Sequence, residues 1–210
     1  MMRAQSVSRE TIADLELFEA EVRKWTPKIN LVSKSTLENL WDRHILDSLQ
    51  LTEMAPTTGL WVDMGSGGGF PGIVLAIWAK HNVPKLQFKL IESDARKSAF
   101  LLNCVQKFDL NVVVHIERVE SMDDLTANVV SARALASLDE LLAMSERLLA
   151  SDGICVFPKG ITHLAEVQEA KKQWSFEHDV IQSTTNAGAA VLRISNVRRA
   201  EKNTADTRGC

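Results

Sequence analysis

Two rhythms of apolar residues divide the chain. Up to about residue 56 they recur at helical spacing. Leu15, Phe18, Val22 and Trp25 share one face of a stretch from 8 to 25, with Ser8 placed to cap it and Pro27 to end it. Leu37, Leu40, Trp41, Ile45 and Leu49 then line one side of a second stretch, which predicts a continuous helix from about 36 to 54. Pro56, Thr57, Thr58 and Gly59 make a turn. Beyond it, short apolar runs alternate with amphipathic ones. Residues 60–64, 86–92, 112–116, 128–131 and 153–158 read as strands, and 70–81, 94–109, 137–149 and 162–173 as the helices between them. In 94–109, Asp94 can cap a helix whose Leu101, Cys104, Val105 and Phe108 share one face.

Short apolar strands separated by amphipathic helices predict a parallel sheet covered on both faces. The last two apolar runs, 174–181 and 189–197, have only the polar 182–188 between them, so they read as an antiparallel hairpin closing the sheet. The expected organisation is an N-terminal helical extension over 1–56, an α/β domain over 57–202 and a disordered tail over 203–210.

Composition narrows the class. With 210 residues, 45% hydrophobic and 24% charged, the chain has the balance of an ordinary globular protein. No apolar run reaches membrane-spanning length, and the first residues lack the apolar core of a signal peptide. Cys104, Cys155 and Cys210 are far apart with no metal-type spacing, so free thiols in a reducing cytoplasm are expected, and no metal. A net charge of −3 does not announce a nucleic-acid partner, so any such role needs a local basic patch.

The candidate chemistry starts at 60–72. A buried strand ending at Asp63 and Met64 runs into Gly65-Ser66-Gly67-Gly68-Gly69-Phe70-Pro71-Gly72, with a helix opening near Pro71. Such a turn lets a ligand approach backbone closely, and the helix start favours negative groups. Gly65 and Gly67 fit the dinucleotide pattern G-x-G-x-x-G, but Phe70 stands at its last position. Glu92 ends the second strand, where an acidic side chain accepts from ribose hydroxyls in both nicotinamide and S-adenosylmethionine (SAM) sites. Two features favour SAM. Asp63 is placed to face the amino group or sulfonium of a cationic cofactor, and a terminal antiparallel hairpin separates class I methyltransferases from dehydrogenases.

The segment from Asp63 to Ile73 strongly resembles the first motif of the RsmG (GidB) family, bacterial enzymes that methylate N7 of a guanine in small-subunit (16S) ribosomal RNA. The resemblance extends through Arg43-His44-Ile45-Leu46-Asp47-Ser48-Leu49, Glu92-Ser93, Arg96-Lys97, Phe100-Leu101, Arg118-Val119-Glu120, Ser131-Arg133-Ala134 and Lys159-Gly160, in the family's order. It implies a class I SAM-dependent methyltransferase: a Rossmann-like, mostly parallel seven-stranded sheet with an antiparallel C-terminal hairpin and an N-terminal helical extension. Carried over by position, it implies that Gly65 and Phe70 contact SAM, that Glu92 binds the ribose, that Val119 and Glu120 lie beside the adenine, and that Arg133 is the cofactor-site arginine. Arg96 stands where the family commonly has lysine, and Val119 where others have alanine. Both changes keep a charge or a main-chain contact.

Guanine N7 carries a lone pair and no proton, so methyl transfer to it needs alignment and electrostatics rather than a general base. Arg133 is the expected catalytic residue, positioned to hydrogen-bond cofactor or base. His44 reads as a buried group that supports the site, and Lys159 as either an RNA-phosphate contact or a carbonyl cap. Lys28, Lys34, Arg43, Arg96, Lys97, Arg133 and Lys159 are the candidate RNA contacts, with Arg193, Arg198, Arg199 and Lys202 a second basic group. A cytoplasmic monomer acting on 16S ribosomal RNA or a small-subunit particle is expected. Methylation of another RNA or a small molecule, a nicotinamide-dependent oxidoreductase and a non-enzymatic nucleotide-binding module are the alternatives.

Overall fold

A computed structural model describes residues 7–200, so the tail expected over 203–210, Lys202 and Cys210 lie outside the described residues. The strands are β1 (Thr58–Met64), β2 (Lys85–Ile91), β3 (Val112–His115), β4 (Ala127–Ala132), β5 (Leu149–Lys159), β6 (Trp174–Gln182) and β7 (Ala190–Arg199). They form one sheet in the order β3-β2-β1-β4-β5-β7-β6. The pairs from β3 to β5 are parallel, and β7 runs antiparallel between β5 and β6. The expected hairpin is therefore present, and its second strand inserts next to β5. Chain order reverses between β1 and β4, which opens a crevice at the carboxyl ends of the strands.

The helices are α1 (Arg9–Ile29), α2 (Lys34–Leu37), α3 (Asp47–Leu49), α4 (Gly72–Asn82), α5 (Ala95–Phe108), α6 (Leu138–Ser145) and α7 (His163–Ala170). Ser8 caps α1 as expected, its side chain accepting from Thr11 N–H. Pro27 does not end the helix. It removes one donor in the last turn, and termination falls to Asn30, left-handed at φ 50°, whose N–H reaches Thr26 O. The continuous helix expected over 36–54 is also corrected. That stretch breaks into α2, a wide π-type turn over Trp41–Leu46, α3 and a 3₁₀ turn over Gln50–Met54. Apolar spacing over so short a run fits either winding, because the buried Leu40, Ile45 and Leu49 face the core in both.

The amphipathic pattern is weak in α4 because Gly72 through Ala79 are buried all round, the sheet lying on one side and α1 on the other. α1 brings Leu15, Phe18 and Val22 into the same core as Phe70, Ile73, Phe100 and Phe108. Each such side chain gains about 1.5–3 kcal/mol from leaving water. Polar links fix the helix's position: Glu21 accepts from Lys107 Nζ at 2.8 Å, and Asp14 lies 3.0 Å from His81 Nε2. Between β3 and β4 the chain makes only a 3₁₀ turn over Val119–Ser121, which leaves the crevice open on that side.

Candidate functional site

The turn after β1 is shaped by two carboxylates. Asp63 is 1% exposed, and its Oδ1 accepts from Ser131 Oγ at 2.7 Å, while its Oδ2 accepts from Gly72 N–H at 3.3 Å. Trp61 Nε1 in turn donates to Ser131 Oγ at 2.8 Å, so a buried chain ties β1, β4 and the start of α4 together. Burial pushes the Asp63 carboxyl up to about 6, against the hydrogen bonds from Ser131, Ser66 and Gly72 that hold it down. A Cβ at Gly72 would collide with Leu90 and with the Asp63 carboxylate, so only glycine allows this approach. The position Asp63 was expected to hold, facing a cationic cofactor, is not the one it occupies. Its carboxylate is buried within the fold and does not line the cleft formed beside the turn.

Glu92 holds the other side of the turn. Its Oε2 accepts from Gly67 N–H at 2.9 Å and its Oε1 from Asp94 N–H at 2.7 Å. Gly67 needs its left-handed φ of 51° to aim that N–H. Asp94 then caps α5, accepting from Arg96 N–H, and Arg96 folds back onto it at 2.9 Å. Each Glu92 oxygen keeps a lone pair, and the residue lines a cleft of about 280 Å³ at the carboxyl edge of β1–β4. Gly65, Gly67, Glu92, Lys97, Val119, Glu120 and Arg133 meet in this cleft.

Phe70 does not meet them. Its ring is 5.4 Å from Phe18 and 4.9 Å from His44, in the core between the turn and the N-terminal segment. Lys159 is engaged as well. Its Nζ donates to Ala136 O at 2.9 Å and pairs with Glu166 at 2.7 Å, so it ties the end of β5 to α7. In the second basic group, Arg193 pairs with Asp179 and Arg199 stacks 3.8 Å over the Trp174 ring.

Arg133 stands at the boundary of two spaces. It lines the cleft, and with Arg43, Asp47, Lys159, Thr185 and Ala189 it lines a second cavity of about 350 Å³. Ala134, which also borders both, holds a left-handed φ of 53°. Arg133 Nη2 donates to Arg43 O at 2.7 Å and lies 3.5 Å from Asp47 Oδ2, while its Nη1 is buried with no partner. Burial lowers the guanidinium's pKa and the Asp47 charge opposes that. His44 Nε2 is likewise buried without a partner. Burial first, then the charges of Arg133 and Arg43, push that imidazole down to about 4.

Sequence reasoning missed how Asp47 organises this region. Asp47 Oδ1 accepts from Gln50 Nε2 and from Thr185 Oγ1, each at 2.8 Å, and so joins the N-terminal segment to the β6–β7 loop. Asp47 sits within the quoted block from Arg43 to Leu49, which was the available signal. Among the described residues no group of three or more His, Cys, Asp or Glu side chains is placed to hold a metal ion, and no helix is long and apolar enough to cross a membrane.

The family model for rRNA small subunit methyltransferase G (GidB) matches residues 11–194. A ribosomal RNA small subunit methyltransferase G from Ruegeria sp. (strain TM1040) is 49% identical over 193 residues, covering 92% of this chain and 94% of its own length. The protein of the same description from Methylobacterium nodulans is 44% identical over 199 residues, covering 94% of each chain. Among solved structures, TYW2 from M. jannaschii in complex with AdoMet superposes with a TM-score of 0.57 at 16% identity, over 75% of this chain and 76% of that one. A SAM-dependent methyltransferase from Aquifex aeolicus gives a TM-score of 0.57 at 13% identity, over 84% and 97%. At such identity the structural likeness speaks to the fold, which is that of class I methyltransferases.

Proposed function

The chain belongs to the rRNA small subunit methyltransferase G family, and from that membership we propose that it transfers the methyl group of SAM to N7 of one guanine in small-subunit (16S) ribosomal RNA. The observation that carries this reading is the match over residues 11–194, which includes both the cleft and the N-terminal segment beside Arg133.

SAM supplies an activated methyl group. The residues of the cleft fit it: the turn at Gly65 and Gly67 offers backbone without side chains, and Glu92 has acceptor capacity left for ribose hydroxyls. Val119 and Glu120 line the opposite wall, where an adenine ring would lie. Arg133 provides a fixed positive charge at the boundary of the cleft and the second cavity, between cofactor and base. No side chain need remove a proton, because N7 has none. Asp63 acts as a positioning residue through Gly72 and Ser131.

The reading includes a division near residue 57, the helical segment serving the substrate side and the remainder the cofactor, and a monomer working in the cytoplasm. Lys97 and Arg43, on the two sides of Arg133, are its RNA contacts. Base-resolved mapping of 7-methylguanosine in ribosomal RNA from a deletion strain should lose a single mark, restored by the wild-type gene. An unchanged map contradicts the assignment.

A further inference from the structure

Arg133 follows β4 where the chain has left the sheet, and Ala134 after it is left-handed. The backbone there fixes the start of a long side chain with several rotatable bonds, but not its charged end. That end is held from elsewhere. Nη2 donates to Arg43 O at 2.7 Å and lies 3.5 Å from Asp47 Oδ2, and among the described residues the guanidinium makes no other hydrogen bond or ion pair. Both partners belong to the N-terminal segment, Arg43 standing 90 residues earlier in the chain.

Asp47 is itself tied down. Its Oδ1 accepts from Gln50 Nε2 and from Thr185 Oγ1, each at 2.8 Å, and Gln50 Nε2 also donates to Asp47 O at 2.8 Å. Gln50 Oε1 in turn accepts from Thr184 N–H at 3.2 Å. The carboxylate that turns Oδ2 to the guanidinium is therefore fixed by its own turn of chain and by the β6–β7 loop. A surface ion pair contributes little. Here the two side chains are 21% and 14% exposed, so the pair is screened less than one in open water.

Resting on the reading of the reaction above, we propose that Asp47 is a positioning residue for methyl transfer: anchored by Gln50 and Thr185, it holds the Arg133 guanidinium in place at the boundary of the cleft. The N-terminal segment then does more than meet RNA, because it orients the arginine that the sheet supplies. Misplacing a group at a reacting centre by about 1 Å can cost about 10²-fold in rate. An effect of that scale reaches the reaction through Arg133 without Asp47 touching cofactor or base.

Asp47→Asn separates the two ends of this side chain. The amide oxygen can still accept from Gln50 and Thr185, while the amide nitrogen turned to Arg133 carries no negative charge and only donates. In single-turnover methylation of small-subunit RNA at saturating SAM, the variant should be about 10–100-fold slower than wild type, with SAM affinity by calorimetry within about twofold. Introduced into Arg133→Ala, the same substitution should slow the reaction by less than about threefold more, because its effect runs through the missing guanidinium. A further readout is independent of turnover: side-chain nitrogen NMR should show hindered rotation of the Arg133 guanidinium in the wild-type protein and faster rotation in Asp47→Asn. A wild-type rate in Asp47→Asn, an equal loss with and without Arg133, or rotation unchanged by the substitution overturns the proposal. If Asp47→Asn does not fold, Asp47→Glu, which keeps the charge but moves it by one methylene, is carried through the same measurements with the same deciding outcomes. Failure of the wild-type protein to methylate the RNA overturns the reaction itself, which is a separate result.

Discussion

On the cofactor side of Arg133 the groups that shape the turn are matched to one another. Asp63 accepts from Ser131 and Gly72, and Glu92 accepts from Gly67 and Asp94. On the side of the N-terminal segment, Arg133 Nη1 and His44 Nε2 are buried with nothing to bond, His44 lying in a π-type turn rather than a regular helix. An unmatched buried polar group costs about 1–3 kcal/mol. The contrast separates two ways of preparing a site. On the first side the hydrogen bonds of the turn are already made without a ligand, which limits the ordering cost of binding one. The other side leaves two buried polar atoms unmatched, at some expense of stability.

Arg133 borders both sides, so its loss should have the largest effect. Arg133→Ala should lower the single-turnover methylation rate by about 10²–10³-fold, the scale of removing one preorganised charge-stabilising group. Its melting temperature should stay close to wild type, since the variant also removes one unmatched buried group. Full activity would take Arg133 out of the mechanism. Phe70→Ala tests whether that ring belongs to the framework or to the cofactor. Packed on Phe18 and His44, its loss should cost about 3–5 kcal/mol in denaturant unfolding while SAM affinity of the folded protein changes little. Unchanged stability with strongly weakened SAM binding would return Phe70 to the cofactor.

The smallest effect is electrostatic, and the two sides have opposite signs. His44, held at about 4 against an ordinary 6.5, contributes stability that is complete above pH 6.5 and is lost as pH falls through about 4. Asp63, held at about 6 against an ordinary 3.8, contributes stability that is complete below pH 3.8 and is lost as pH rises through about 6. Over pH 4 to 6.5 the two largely offset, so site-resolved NMR titration rather than a melting curve separates them. Midpoints near 4 for His44 and near 6 for Asp63 are expected. An ordinary midpoint near 6.5 for His44 would mean that its imidazole reaches water.

The sheet was legible because strand and helix periods alternate cleanly from 58 onward, and because only seven polar residues separate the final two apolar runs. The N-terminal segment was not, since spacing over 36–54 does not distinguish helical windings and Pro27 is tolerated within the last turn of α1. In the candidate site, Gly67, Glu92 and Arg133 stand at strand ends and could be placed from topology. The placements of Asp63 and Phe70 could not. Whether a carboxylate or a ring beside a glycine turn faces ligand or interior depends on Ser131, Phe18 and His44, which are distant in sequence and reach the turn only in the folded chain. The unmatched atoms of Arg133 and His44 are a tertiary property with no sequence signal.

If the protein transfers a methyl group from SAM to N7 of one guanine, the product itself must show it. The most direct measurement incubates the purified protein with methyl-labelled SAM and unmodified small-subunit RNA, as free RNA and as assembled particle, and maps 7-methylguanosine by N7-specific chain cleavage. The expected result is label at a single guanine, as 7-methylguanosine, approaching one methyl per RNA on the competent substrate. Label on another atom or base, or none on either substrate, would contradict the account.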